Sequence, residues 1–249
     1  MRSESPFLRR RIFGVGLKMY MSLEQTRNWM TGVAEIAREL SPHLDLFVIP
    51  DFISLPAARA ALAGTRVWLG AQDVFWEDRG PFTGEISAPM LVEAGCRVVE
   101  IGHAERRRLF GESDEVVAKK VQAAVRSKLA PVLCVGEVEC GDAQTAAEYC
   151  LRQLEAGAAG IGADAPLIVA YEPVWAIGAP EPAPPERIQA VAEGIRPWVA
   201  RRAETRLLYG GSAKPGLWSQ LDGSVDGLFL GRFAHDLRDL AAVLHEAAR

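Results

Sequence analysis

Eight short apolar segments recur along the chain, beginning near residues 11, 44, 66, 96, 131, 166, 205 and 225. Most are nearly continuous, which is typical of strands buried on both faces of a parallel sheet. Stretches with helical spacing of apolar residues separate most of them. Residues 23–40, for example, carry apolar side chains at 29, 30, 33, 36, 37 and 40. The pattern predicts alternating strands and helices, and one helix is expected to begin at a capping residue, Ser113.

Eight strand–helix repeats in 249 residues fit one α/β domain, residues 1–249, folded as a (β/α)8 barrel. The alternative is an open, doubly wound sheet, which favours a GxGxxG turn after the first strand. The segment GVGLKM (14–19) lacks the third glycine and has Lys18 where the turn is expected. We therefore favour the barrel.

Composition excludes several classes of protein. Apolar residues make up 49% and charged residues 24%, as in ordinary globular proteins, and a net charge of −4 argues against a nucleic-acid partner. No segment approaches the roughly 20 apolar residues of a membrane-spanning helix. The basic start is not followed by a secretory apolar segment, so we expect a cytoplasmic protein. The four cysteine and four histidine residues show no metal-ligand spacing, and no cofactor motif is present.

Polar and glycine residues follow several of the predicted strands. Active sites of such barrels form where the strands end, so these residues are expected to converge. They are Lys18, Gln72, Asp73, Gly102, His103, Glu105, Gly136, Glu137, Glu172, Gly210, Gly211, Ser212, Gly231 and Arg232.

This set of residue types indicates proton transfer on a small phosphorylated carbonyl compound. Glu172 can remove a proton beside a carbonyl group, neutral His103 can polarise that carbonyl, and Lys18 can stabilise negative charge. Glycine-rich turns after strands seven and eight let backbone N–H groups approach a phosphate. A Schiff-base aldolase is the enzyme alternative, but it needs a lysine deep in the barrel, where strand six offers Glu172.

Long segments of the chain resemble the triosephosphate isomerase family, whose fold is the TIM barrel. The similar segments are VEIGHAERRRLFGESDE (99–115), AYEPVWAIG (170–178), GAQDVFWEDRGPFTGEISAPML (70–91), LYGGS (208–212) and VDGLFLG (225–231). The resemblance implies that Glu172 is the base, that His103 is the neutral electrophile, and that Lys18 stabilises charge. It implies a cofactor-free enzyme.

The resemblance also assigns supporting roles. Backbone N–H groups near Gly178, Ser212 and Gly231 would bind phosphate, together with Gly210, Gly211 and Arg232. Gln72, Glu105 and Cys134 would support the catalytic residues, and residues 173–179 would form a lid. Thr83 would enter the site of a partner subunit, so a homodimer is implied.

Four positions depart from the family pattern. Gly16 replaces an asparagine that helps to hold a substrate oxygen, and Ala104 replaces a serine. Prolines at 180, 182, 184 and 185 are expected to stiffen the far end of the lid, and Arg232 replaces a glycine. Gly16 is expected to enlarge the pocket near the reacting carbons.

Three functions follow from these matches and departures. The first is interconversion of dihydroxyacetone phosphate and glyceraldehyde 3-phosphate, which the overall match to the family motifs ranks first. The second is isomerisation of a four-carbon sugar phosphate such as L-erythrulose 1-phosphate, because Gly16 and the ending GLFLGR are similar to that branch of the family. The third is a barrel that binds phosphorylated metabolites without turnover.

Overall fold

The computed structural model describes residues 11–39 and 44–248. Within them, eight parallel strands form one closed barrel in sequence order, and β1 closes the ring by pairing with β8. This confirms the predicted fold. The strands are β1 Arg11–Gly16, β2 Leu44–Ile49, β3 Trp68–Ala71, β4 Val98–Ile101, β5 Ala130–Val135, β6 Leu167–Tyr171, β7 Thr205–Tyr209 and β8 Gly227–Leu230.

Helices follow the strands around the barrel. They are α1 Leu23–Glu39, α2 Leu55–Ala61, α3 Ala88–Glu93, α4 Ala104–Phe110, α5 Asp114–Arg126, α6 Ala143–Gly157, α7 Pro185–Ala200, α8 Trp218–Leu221 and α9 Leu237–Ala247. Short 3₁₀ turns lie at Phe52–Ser54, Val174–Ala176 and Arg232–His235. None of the helices in the described ranges is long and apolar enough to cross a membrane.

Side-chain oxygens fix the beginnings of several helices. Ser113 accepts a hydrogen bond from the Val116 N–H at the start of α5, as the sequence predicts, and Asp142 accepts one from the Thr145 N–H at the start of α6. These bonds satisfy backbone donors that have no partner within the helix. The helix starts, and therefore the loops above the barrel, are held in place.

Two apolar clusters form the core. One lies between the strands and the surrounding helices. The other fills the barrel interior with side chains from alternate strand positions, such as Ile12, Val132 and Phe229. Because the strands are parallel and packed on both sides, their carboxyl ends meet at one mouth, which is where the candidate residues lie.

Candidate active site

A cavity of about 290 Å³ opens at the carboxyl ends of the strands. Ten of the residues singled out in the sequence line it, which places them together as predicted. They are Lys18, His103, Glu105, Glu172, Gly178, Gly210, Gly211, Ser212, Gly231 and Arg232. Gln72 and Cys134 lie beside these residues rather than in the wall of the cavity, and Thr83 lies elsewhere on the surface.

His103 is held as a neutral ring with a defined tautomer. It precedes α4, and its Nδ1 accepts a hydrogen bond of 3.1 Å from the Glu105 N–H. The proton of the neutral ring therefore lies on Nε2. Burial and the positive charge of Lys18 lower the pKa of His103 to about 4. At neutral pH the ring offers an uncharged N–H donor to the cavity.

Glu172 follows β6 and is 3% exposed. Its Oε2 lies 3.5 Å from Nε2 of His103 and has no hydrogen-bond partner among the described residues. Burial, followed by the charge of Glu100, raises the pKa of Glu172 well above its ordinary value. Gly210 makes room for it, because a Cβ at residue 210 would lie 2.6 Å from Glu172 Cγ. A carboxylate with a raised pKa and an unused oxygen has the properties of a general base.

Lys18 is positioned by two contacts that are distant in sequence. Its backbone adopts a positive φ of 50°, and the Gln72 side chain donates a hydrogen bond of 2.8 Å to its carbonyl oxygen. The Lys18 Nζ donates to Glu105 Oε1 at 2.7 Å. Burial lowers the pKa of Lys18, but the hydrogen bond and charge of Glu105 outweigh it, so that the pKa is raised. Lys18 therefore stays charged at the cavity wall.

The rim of the cavity also carries groups suited to an anion. The glycine pair 210–211 and the glycine at 231 expose backbone there, beside Ser212. Arg232 follows β8, lines the same rim, and is exposed. Its guanidinium carbon lies 5.9 Å from the centre of the Tyr20 ring. Arg232 thus stands at the cavity, where it can add a positive charge to a phosphate site.

Residues 173–180 cover one side of the cavity and are tied to the barrel. The Ser212 hydroxyl lies 2.8 Å from the carbonyl oxygen of Ala179 and 3.1 Å from that of Ala176, within hydrogen-bonding distance of both. The Trp175 indole donates to Glu137 Oε1 at 3.0 Å. In the proline-rich segment that follows, the buried Ala183 donates its N–H to the Tyr209 hydroxyl. These bonds define a segment that is anchored at both ends.

Two departures from the family pattern can now be located. The space in front of Gly16 is bordered by the Phe229 ring and the Glu100 carboxyl group. The Phe229 ring therefore occupies part of the extra pocket space that was expected from the glycine at residue 16. Ala104 lines a neighbouring cavity of about 360 Å³, which Cys134 and Glu172 also line.

Cys134 is a buried free thiol, as the sequence indicates, and burial raises its pKa well above the ordinary value. This thiol is therefore protonated near neutral pH. Its Sγ lies 3.9 Å from Glu100 Oε1, so it borders the site from inside the barrel.

Sequence reasoning missed Glu100 and gave Glu137 no role. Glu100 is buried at the inner wall of the site, and Glu137 accepts hydrogen bonds from Tyr171, Trp175 and Arg187. The sequence did hold a signal for Glu100. Glu100 lies in β4 two residues after Val98, and the Val98 side chain points into the barrel. A strand side chain two residues further on lies on the same face.

One group of described residues offers ligand atoms that all lie within 4.8 Å of one another, as a metal site would. It consists of Glu100, His103 and Glu172. However, the Nδ1 of His103 is occupied as an acceptor, so its Nε2 carries the proton and has no free lone pair for a metal. This tautomer favours hydrogen bonding to a substrate.

Comparison with known proteins agrees with this geometry. The family model described as triosephosphate isomerase matches residues 11–247. The chain is 48% identical to an L-erythrulose-1-phosphate isomerase of Pectobacterium atrosepticum, over 96% of both chains. It is 45% identical to a triosephosphate isomerase of Citrifermentans bemidjiense, over 76% of this chain and 79% of the other. It is 38% identical to an L-erythrulose-1-phosphate isomerase of Rhizobium etli, over 93% of this chain and 90% of the other.

Proposed function

As the chain belongs to the triosephosphate isomerase family and is an isomerase of a phosphorylated sugar, we propose that its substrate is L-erythrulose 1-phosphate. The main support for an isomerisation is that Glu172, His103 and Lys18 line the same cavity. Gly16, which lacks a side chain beside the reacting position, favours the four-carbon substrate, as does the 48% identity to a relative of that name.

The chemistry is a proton transfer between neighbouring carbons. In L-erythrulose 1-phosphate the carbonyl is at C2, and C3 carries a hydrogen, a hydroxyl and the terminal hydroxymethyl group. Glu172 removes the C3 proton, and the electron pair of the C–H bond forms the enediolate, whose negative charge lies on oxygen. Glu172 returns the proton to C2, and the C3 hydroxyl proton passes to the C2 oxygen, which places the carbonyl at C3 and gives erythrulose 4-phosphate. No atom is gained or lost overall.

Two residues stabilise the enediolate. The Nε2–H of neutral His103 donates to the oxygen on which charge develops, and charged Lys18 lies at the same wall. His103 makes this hydrogen bond as a neutral ring, because its pKa is lowered to about 4. The reaction thus needs only side chains of this protein, and we propose that it proceeds without a cofactor.

The phosphate group occupies the rim formed by residues 210–212, Gly231 and Arg232. The segment 173–180 closes over the substrate and excludes water, which strengthens each electrostatic contact inside. Hydrogen exchange of the amides in this segment should slow when inorganic phosphate or substrate binds. Unchanged exchange rates would argue against a lid.

Dihydroxyacetone phosphate is the second candidate substrate. The relative from Citrifermentans bemidjiense is named a triosephosphate isomerase, and the Phe229 ring takes up part of the space in front of Gly16. The same three catalytic residues serve either substrate, since both are ketoses with the reacting carbons on the side away from the phosphate.

We also propose a homodimer. Residues 77–85 form an exposed segment, and Phe82 within it is 39% exposed although it is aromatic. Such a segment is suited to a partner, and Thr83, which the resemblance assigns to the site of a partner subunit, lies within it. The cytoplasmic location expected from the sequence stays a prediction.

Incubation of the protein with L-erythrulose 1-phosphate in heavy water tests the proposed reaction. We expect erythrulose 4-phosphate to form and deuterium to enter at the reacting carbons, as followed by proton nuclear magnetic resonance. The Glu172→Gln variant is the matched control and should leave the substrate unlabelled. Binding of the sugar phosphate by the wild-type protein without label or product would instead indicate a non-catalytic barrel.

A further inference from the structure

Glu100 is a buried carboxyl group that the proposed mechanism does not use. It lies in β4, is 7% exposed and lines the mouth cavity. Cys134 Sγ donates a long hydrogen bond of 3.9 Å to its Oε1, and His103 Nε2 lies 4.0 Å from the same oxygen. No lysine or arginine within residues 11–39 and 44–248 forms an ion pair with it. A buried carboxyl group with such weak partners is costly, so its position calls for a ligand.

The reacting carbons of a bound substrate must lie next to Glu100. They have to meet Glu172 and the Nε2 of His103, and all three side chains have ligand atoms within 4.8 Å of one another. With the phosphate at the rim formed by residues 210–212 and 231–232, the part of the substrate beyond the reacting carbons points to the wall made by Gly16, Glu100 and Phe229.

Gly16 leaves the carboxyl group of Glu100 uncovered. A Cβ at residue 16 would lie 3.9 Å from Glu100 Oε2 and 3.2 Å from Phe229 Cζ. Any longer side chain at residue 16 would therefore enter the space in front of Glu100. Gly16, Glu100 and the Phe229 ring therefore border one small recess, which has a polar group on one side and an aromatic wall on another.

We propose that Glu100 is a substrate-binding residue that sets substrate length, and that its carboxyl group hydrogen bonds to the terminal hydroxymethyl group of a four-carbon ketose phosphate. This assignment rests on the proposed function, because only a four-carbon substrate carries that group beyond the reacting carbons. A three-carbon substrate ends before the recess and leaves Glu100 with only the long hydrogen bond from Cys134. Selectivity then arises because a buried polar group is satisfied by one substrate and not by the other.

The protonation state of Glu100 agrees with this role. Burial raises its pKa to about 8, and the negative charges of Glu105 and Asp73 add to the rise, while Lys18 and Cys134 oppose it. A neutral carboxyl group can both donate to and accept from a hydroxyl group. It also avoids a second negative charge beside the enediolate. The titratable groups that face Glu100 are Lys18, Asp73, His103, Glu105, Cys134 and Glu172.

Two variants separate substrate binding from packing. Glu100→Met keeps the length of the side chain and removes its hydrogen bonds, whereas Glu100→Gln keeps a donor and an acceptor. For Glu100→Met we expect kcat/KM for L-erythrulose 1-phosphate to fall by about 10- to 100-fold, with a change of less than about threefold for dihydroxyacetone phosphate. Glu100→Gln should recover most of the kcat/KM for L-erythrulose 1-phosphate that Glu100→Met loses at pH 7.

The outcomes are distinguishable. An equal fall on both substrates, or no fall on either, in a Glu100→Met protein with an unchanged thermal midpoint would overturn the assignment of Glu100. Glu100→Leu is made in parallel and carries the same expectation, so that a poorly folded methionine variant does not end the test. A wild-type protein that fails to convert L-erythrulose 1-phosphate would overturn the proposed function itself, before any variant is compared, and this assignment with it.

Discussion

Glu172 Oε2 and His103 Nε2 lie 3.5 Å apart at the mouth of the barrel. One group is a carboxylate with an unused oxygen, and the other is a neutral ring that presents an N–H. A substrate between them meets a base at carbon and a donor at oxygen, which is the arrangement that proton transfer beside a carbonyl requires.

Replacement of Glu172 by glutamine should abolish most of the activity. The amide has nearly the same shape but cannot take up a proton, so we expect kcat to fall by at least about 100-fold with the fold intact. Steady-state kinetics and thermal unfolding measure the two properties. Glu148→Gln, at an exposed position of α6, is the matched control and should keep full activity. Near-normal turnover by Glu172→Gln would show that another group is the base.

The pH profile of kcat/KM should be set by two carboxyl groups. Glu172 must be ionised, so activity rises as pH rises through its pKa, which burial holds above the ordinary value. Activity should fall again near pH 8, where Glu100 ionises and places a second negative charge beside the enediolate.

The glutamine variant of Glu100 tests the alkaline side of this profile. Glu100→Gln cannot ionise, so its kcat/KM should stay level through pH 8 to 9 while the acidic limb remains. His103 contributes no limb near neutral pH, because its pKa is about 4. An alkaline limb that persists unchanged in Glu100→Gln would have to arise from another group.

Much of this account was available from the sequence, because strands buried on both faces leave nearly continuous apolar segments. The barrel, the helix start at Ser113 and the meeting of Lys18, His103 and Glu172 were predicted correctly. Helices α2, α3, α4 and α8 were not predicted, since each has seven residues or fewer and shows too little periodicity.

Other features depend on contacts between distant parts of the chain. The ion pair of Lys18 and Glu105 joins residues that are 87 positions apart, and the tautomer of His103 follows from one backbone hydrogen bond. Glu100 was missed because a single carboxylate in the apolar run of β4 reads as part of a strand. Its role depends on its closeness to Gly16, which belongs to another strand and is brought near it only by the fold.

Substitution of Gly16 by asparagine should shift selectivity towards the shorter substrate. The amide would offer a hydrogen bond to an oxygen on the reacting carbons and would fill the recess in front of Glu100. We expect the ratio of kcat/KM values to move about 10-fold towards dihydroxyacetone phosphate. Phe229 must shift by a few tenths of an ångström, because its Cζ would lie 3.2 Å from the new Cβ. A ratio that does not change would show that residue 16 has no part in substrate length.

Thr83→Arg tests the proposed homodimer. A large charged side chain at residue 83, within the exposed segment 77–85, should prevent close packing against a second copy. We expect sedimentation velocity to show a shift from dimer to monomer, with a loss of activity. Thr31→Arg, at an exposed position of α1, is the control and should remain dimeric. A Thr83→Arg protein with the mass and activity of the wild type would contradict this interface.

The most direct test of the account is the ratio of kcat/KM for L-erythrulose 1-phosphate to kcat/KM for dihydroxyacetone phosphate, measured on one preparation of the wild-type protein. The recess formed by Gly16, Glu100 and Phe229 predicts the larger value for the four-carbon substrate. A larger value for dihydroxyacetone phosphate, or no turnover of either compound, would contradict it.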